Sequence, residues 1–413
     1  MSQPVSLRRS LSLPLLIFYG LGNILGAGIY VLIGEVVGAA GIYAPVSFIA
    51  ASLLAAFTAF TYAEMSSRYP LSAGESVYIQ QGFNLKNLSL AAGLLIILAG
   101  SLSSAAIIRG FVGYLDVFVQ LPDALVIVAL VLVLGGLAAW GINQSVLTAA
   151  LITVLEIVGL LVIIWVSRGA LTELPSRLPE LFPPMQSGVW LGVFLGSMLA
   201  FYAYIGFEDM VNVAEEAKQP ARNMPLAILI ALGVSSLIYI LVAVVSVLSA
   251  DLVDLAASDA PLAYIFRHNT GSEPVFISII SLFAIINGAL VQIIMASRVL
   301  YGLSRQGWLP SRLGRVNPRT RTPLLATLLV SILVLALALA SAMAVLAEGT
   351  SFVILIVFAL VNLALLRIKY RESRAGQAAG EGVFTIPLWV PAVGAVSSLG
   401  FVVFRLFNLI SNS

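Results

Sequence analysis

The chain contains no cysteine, which excludes disulfides, thiolate metal sites and a disulfide-linked partner subunit. Its one histidine, His268, falls in a polar stretch, so no histidine-based metal site can be assembled. Charge is scarce as well. Asp, Glu, Lys and Arg make up 10% of the residues, against about 25% in ordinary soluble proteins. The net charge of +2 comes from basic residues scattered over short connections, which gives no footprint for nucleic acid. There is no HExxH, no Ser-His arrangement and no Walker A loop. The chain is therefore not read as an enzyme, and any work it does must draw on an ion gradient or on exchange.

What fills the sequence is apolar. Hydrophobic residues make up 60% of 413 and the mean hydropathy is +1.06. No soluble domain of that length could hide so much apolar surface, so the expectation is an all-α membrane protein. Eleven runs are long enough to cross a bilayer, for which about 20 residues suffice. They lie near 11–34, 44–66, 88–115, 124–142, 147–167, 189–213, 226–249, 274–300, 323–344, 350–366 and 386–408. The connections between them are too short for a soluble domain, so residues 1–413 read as one transmembrane unit. Arg8 and Arg9 before an apolar run suggest a signal peptide, but the run is too long and lacks a cleavage site. It is read as the first span.

Lys and Arg set the orientation. With the N-terminus inside, sixteen of the twenty-one basic residues fall on inner segments and four on outer ones, with Arg109 left inside the third span. The expected location is a bacterial inner membrane with a cytoplasmic N-terminus.

Two spans are odd. The first reads GLGNILGAGIY over Gly20–Tyr30, with four glycines and Asn23 at membrane depth. Each glycine costs a helix about 1 kcal/mol against alanine. Either Gly26-Ala27-Gly28 interrupts the helix and turns free N–H groups toward a ligand, or the glycines form a packing face for a neighbouring helix. The sixth span runs through Phe201–Phe207 straight into Glu208 and Asp209. Two acids at that depth are costly unless they face water or a partner. Either the helix is broken over Ala203–Gly206 and restarts near Phe207, or the span simply ends there. Met210, Val211 and Val213 continue the apolar pattern and favour the break.

The two odd spans are five apart and run in opposite senses. That is the pattern of an inverted repeat, residues 11–167 followed by 189–366, with 386–408 outside it. Interrupted spans at matching places of two halves point to a transporter's binding site.

Five stretches carry a resemblance that covers nearly the whole chain. They are GAGIYVLIG, FTYAEMSSRYPLSAGESVYI, AFYAYIGFEDMVNVAEEAKQPARNMPLAI, INGALVQIIMASRVLYGLSRQGWLP and FVILIVFALVNLALLR. With them the chain resembles the amino acid–polyamine–organocation superfamily of permeases, and within it the bacterial permeases related to cationic amino acid transporters. The resemblance implies a LeuT-type fold, a 5+5 inverted repeat with discontinuous helices 1 and 6. It implies a substrate carboxylate on the backbone N–H groups of Gly26, Ala27 and Gly28, with Ile29 next. It implies a substrate ammonium on the carbonyls of Tyr202, Ala203 and Ile205. The physics agrees, because free N–H groups at a helix start favour an anion and unpaired carbonyls a cation. Many such permeases carry a lysine in span 5 as a stand-in for sodium; here the polar residue is Glu156.

Glu156 has three readings: a proton carrier that is neutral when buried and ionised when wet, a packing residue, or the partner of Arg109. Glu208 and Asp209 are the other candidates for ion coupling. Arg109 either pairs with Glu156, reads an acidic substrate, or snorkels to the nearby outer surface. Glu64 is expected at the inner interface, and Asn287 in helix packing or at a ligand. The 374–382 stretch reads as a flexible loop. The expected function is a secondary transporter moving amino acids by alternating access, as proton symport or exchange. The other candidate is a membrane receptor or assembly partner that binds amino acids without moving them. No cofactor is expected. The driving force is expected to be a proton gradient, with sodium left open, and the partners are the amino acid and the lipid bilayer.

Overall fold

A computed structural model describes residues 11–71, 74–140, 146–317, 320, 322–376, 380 and 382–411. Among them every regular element is helical. The first apolar run stops at Gly26, whose backbone (φ −41°, ψ −139°) leaves the helical region. It thereby becomes α1 (Leu13–Leu25) and α2 (Ala27–Ala40). Next come α3 (Ala44–Arg68), with a proline in its first turn where no N–H is needed, α4 (Gly74–Phe83) and α5 (Lys86–Leu115). Then follow α6 (Asp123–Trp140), α7 (Val146–Val166) and α8 (Arg168–Arg177). The sixth run is α9 (Ser187–Tyr204). It ends in an extended Ile205 and in Gly206 at φ +129°, before a 3-10 segment, Glu208–Glu216. The remaining helices are α10 (Pro220–Ser249), α11 (Leu252–Ala256), α12 (Pro261–Thr270), α13 (Val275–Arg305), α14 (Leu324–Ala340), α15 (Met343–Ala375) and α16 (Trp389–Ser411).

Each of the eleven expected spans falls on a helix or a broken helix. Among the described residues eight stretches are long and apolar enough to cross a membrane, or nine if the pair bent by 60° at the end of α7 counts as one. One of them, Leu13–Arg68, holds two expected spans, and the 17-residue Leu324–Ala340 holds another. The short helices α4, α8, α11 and α12 lie in stretches read from sequence as connections.

The packing is two-fold. In the first half α1 rests on α7 and α10; five spans later α9 rests on α15 and α3. Likewise α5 packs on α14 and α15, and its counterpart α13 packs on α6 and α7. The two broken spans meet, because α2 packs directly on α9. Outside the repeat, α16 lies against α15 and α3, and α11 and α12 cover α2.

The C-terminal end of α3 carries a partnership that the sequence does not suggest. Glu64, expected at the inner interface, is fully buried within the protein. Its carboxylate accepts from Arg68 Nε at 2.8 Å and from the backbone N–H of Ile386 at 2.8 Å, and it lies 2.9 Å from Lys369 Nζ. The segment leading into α16 folds over this charge, which the span pattern alone does not reveal. Of the 374–382 stretch, residues 377–379 and 381 lie outside the described residues.

Candidate functional site: two helix breaks around one cavity

The breaks meet. A methyl group in place of the Gly28 hydrogen would stand 2.7 Å from the Ala203 Cα, so only glycine lets the two backbones come this close. Between them lies a cavity lined by Gly22, Asn23, Ile24, Gly26 and Gly28 from span 1 and by Tyr202, Ala203 and Ile205 from span 6. Ser103 and Ile107 of α5 and Asn287, Gly288, Val291 and Gln292 of α13 close the far wall.

The chemistry of this cavity follows from helix ends. The first N–H groups of α2, from Ala27 onward, have no intrahelical acceptor, and Gly26 before them has no side chain to cap them. The final carbonyls of α1 and α9 lack intrahelical donors in the same way. Two of the three carbonyls singled out in span 6 already have one donor: Tyr202 accepts from the Ile205 N–H at 3.2 Å and Ala203 from the Tyr239 hydroxyl at 3.1 Å. A carbonyl oxygen has a second lone pair, so both can accept again. Ile29 is buried away from the cavity, so its side chain is not part of the wall.

Tyr202 was singled out from sequence for its carbonyl, but its side-chain partner Ser103 and the wall residues Asn23 and Gln292 were not named as site residues. Tyr202 crosses to α5, donating to the Ser103 carbonyl at 3.0 Å while its oxygen lies 3.0 Å from Ser103 Oγ. The amide nitrogen of Asn23 is buried at the wall without a hydrogen-bond partner among the described residues. Asn23 gave a signal, as an amide at membrane depth; Ser103 and Gln292 gave none beyond being polar in apolar runs.

The acids are placed as follows. Glu208 and Asp209 are buried beside a second, smaller cavity that shares Ser103, Ile205 and Gln292 with the first. Glu208 Oε2 accepts from the Gly206 N–H at 2.8 Å, and Asp209 Oδ2 from Gln292 Nε2 at 3.1 Å. Glu75, at the start of α4, is a third buried carboxyl close enough to interact with both. None of the three enters an ion pair among the described residues. Glu156 is buried in α7, and its backbone carbonyl accepts from the Tyr30 hydroxyl at 2.6 Å. Among the described residues neither oxygen of its carboxyl makes a hydrogen bond of ordinary geometry, and Asn287 is a polar side chain facing it. Arg109 is not its partner. That guanidinium reaches Asp123, 3.7 Å away at the start of α6.

Comparison with known proteins agrees with this architecture. The chain is 30% identical over 397 residues to cationic amino acid transporter 3, a mitochondrial protein of Arabidopsis thaliana, covering 88% of this chain and 63% of that protein. It thus spans about three fifths of that relative's length. It is 28% identical over 429 residues to the branched-chain amino acid permease of Bacillus subtilis, covering 98% of this chain and 89% of that one. A solved manganese transporter from Eremococcus coleocola superposes with a TM-score of 0.64 over 96% of this chain and 87% of its own, at 14% identity. That likeness gives the fold, which is of LeuT type. The model of the amino acid permease family matches residues 11–412. With its apolar membrane-spanning helices, two of them broken against each other, this integral membrane chain belongs to the amino acid permease family.

Proposed function

We propose that the chain is a secondary transporter that carries amino acids across the membrane by alternating access, coupled to proton symport or exchange. One observation carries the reading: the start of α2 and the end of α9 abut across a cavity, Gly28 against Ala203. Unpaired N–H groups at Ala27 and Gly28 suit a carboxylate, and the carbonyls of Tyr202, Ala203 and Ile205 suit an ammonium. A zwitterion satisfies both ends at once. The far wall on α5 and α13 is then left to meet the side chain. The relatives are named as transporters and permeases, and a receptor or assembly partner without transport finds no support among them. Catalysis is no part of the proposal.

Glu156 is the first candidate for proton coupling, because its carboxyl is buried with no ion-pair partner among the described residues; Glu208 and Asp209 are the alternatives. Sodium is left as the other possible ion. The basic-residue bias supports a cytoplasmic N-terminus in a bacterial inner membrane, with lipid and the amino acid as partners. Uptake into liposomes by the purified protein tests the proposal, using the common amino acids one at a time with and without an imposed pH gradient. Accumulation of at least one amino acid is expected. Specific binding with neither uptake nor exchange would overturn it.

A further inference from the structure

Tyr239 lies in the middle of α10, a helix that contributes nothing to the cavity wall. The side chain is fully buried. Its ring is held edge-on between Tyr204, 5.2 Å away, and Phe48, 6.0 Å away. Its hydroxyl donates to the carbonyl of Ile24, one residue from the end of α1. The same hydroxyl stands 3.1 Å from the carbonyl of Ala203, one residue from the end of α9. One phenol therefore spans the last turns of both broken helices, where carbonyls lack intrahelical donors.

A phenol has one proton to donate, so it cannot satisfy both carbonyls in full. An ammonium has three. We infer that Tyr239 is a positioning residue that bridges the two breaks in the empty transporter and yields the Ala203 carbonyl to the substrate's ammonium. When the ammonium arrives, the phenol keeps Ile24 and the ammonium takes Ala203, so the junction goes from partly to fully satisfied. The substrate thus completes the link between α1 and α9 and does not merely sit in it. This rests on the reading that an amino acid zwitterion lies between the breaks.

The test varies the donor strength of the phenol in the full-length protein. Wild type is first screened with the common amino acids by thermal stabilisation, and the best binder is used thereafter. Tyr239→Phe removes the competing donor. Affinity should rise about fivefold, the change that one ordinary hydrogen bond is worth. The N-acetylated form of the same amino acid, which has no ammonium, should show no such gain. 3-Fluorotyrosine incorporated at position 239 keeps the shape but donates more strongly, so affinity should fall. That variant also serves if Tyr239→Phe does not fold. Opposite shifts for the two variants support the inference, because loss of a purely structural brace would not reverse sign with donor strength. Unchanged or parallel shifts overturn it. If wild type is stabilised by the amino acid but by neither its N-acetylated nor its carboxamide form, the zwitterion reading stands on its own, whatever Tyr239 does. If no amino acid stabilises wild type, both fall.

Discussion

Gly206 backs onto Asn23: a methyl group on Gly206 would stand 2.6 Å from the Asn23 carbonyl oxygen. This is the second place, after Gly28 and Ala203, where the two breaks touch through bare backbone. Gly206 also sits at φ +129°, a conformation that side chains rarely adopt. Gly206→Ala should therefore destabilise the protein by about 1–3 kcal/mol, read as a lower unfolding temperature in detergent. Gly233 in α10 is the contrast. A methyl group there meets nothing within 4 Å, so Gly233→Ala should stabilise by up to about 1 kcal/mol. Equal effects at the two sites would mean that Gly206 is ordinary helix-end glycine.

Burial of Glu64 yields a prediction away from the cavity. Its carboxylate holds Arg68, Lys369 and the Ile386 N–H at once, while the Lys369 ammonium donates to the Ile386 carbonyl at 2.8 Å. Removing one partner of a buried ion pair leaves the other charge uncompensated, at a cost of about 3–5 kcal/mol. Arg68 keeps Glu372, 2.5 Å away, so Glu64→Leu should fall at the lower end of that range. The damage should start where α16 is tied down. Hydrogen exchange should show the Ile386 amide losing protection before amides in the middle of α15, and uniform loss along the chain would contradict this.

The span pattern was legible because lipid enforces it. Runs of apolar residues must be helices where no water can satisfy the backbone. The breaks were legible for a related reason, since glycines and acids at membrane depth are expensive and need a cause. Side-chain partnerships were not legible. Arg109 and Glu156 both sit in apolar runs, and nothing in spacing says that Arg109 reaches Asp123 instead. Tyr239 looks like any aromatic in a span, yet it touches both breaks. Glu75 lies in a connection by hydropathy, and only the folding of α4 into the interior buries it beside Glu208 and Asp209. Such pairs depend on which helices meet, which a linear pattern does not encode.

Orientation can be checked with single cysteines, since the chain has none of its own. Val253 in α11 is 77% exposed, and Gln306 just past α13 is exposed as well. With the N-terminus inside, a cysteine at Val253 should react with a membrane-impermeant maleimide on intact cells. A cysteine at Gln306 should react only after permeabilisation. The reverse pattern would invert the whole topology, and with it the side on which Glu64 and the start of α16 lie.

The last prediction concerns Glu156. Both carboxyl oxygens are buried with no ion-pair partner among the described residues, Asn287 is a polar side chain facing them, and Arg109 is engaged elsewhere. A lone carboxylate so placed costs several kcal/mol, and taking up a proton removes that cost. If the site is hydrated in another conformation of the transport cycle, the same group can release the proton there. That is the requirement for a carrier in alternating access. Glu156→Gln keeps the shape and the polar contact with Asn287 but has no proton to release. The variant should lose accumulation driven by a pH gradient while still exchanging internal for external amino acid, because exchange needs no net proton movement. Both are measured on the same proteoliposomes, so a folding defect would show as loss of both. If pH-driven accumulation survives unchanged, Glu156 is a packing residue, and coupling moves to Glu208 or Asp209, whose carboxyls border the second cavity.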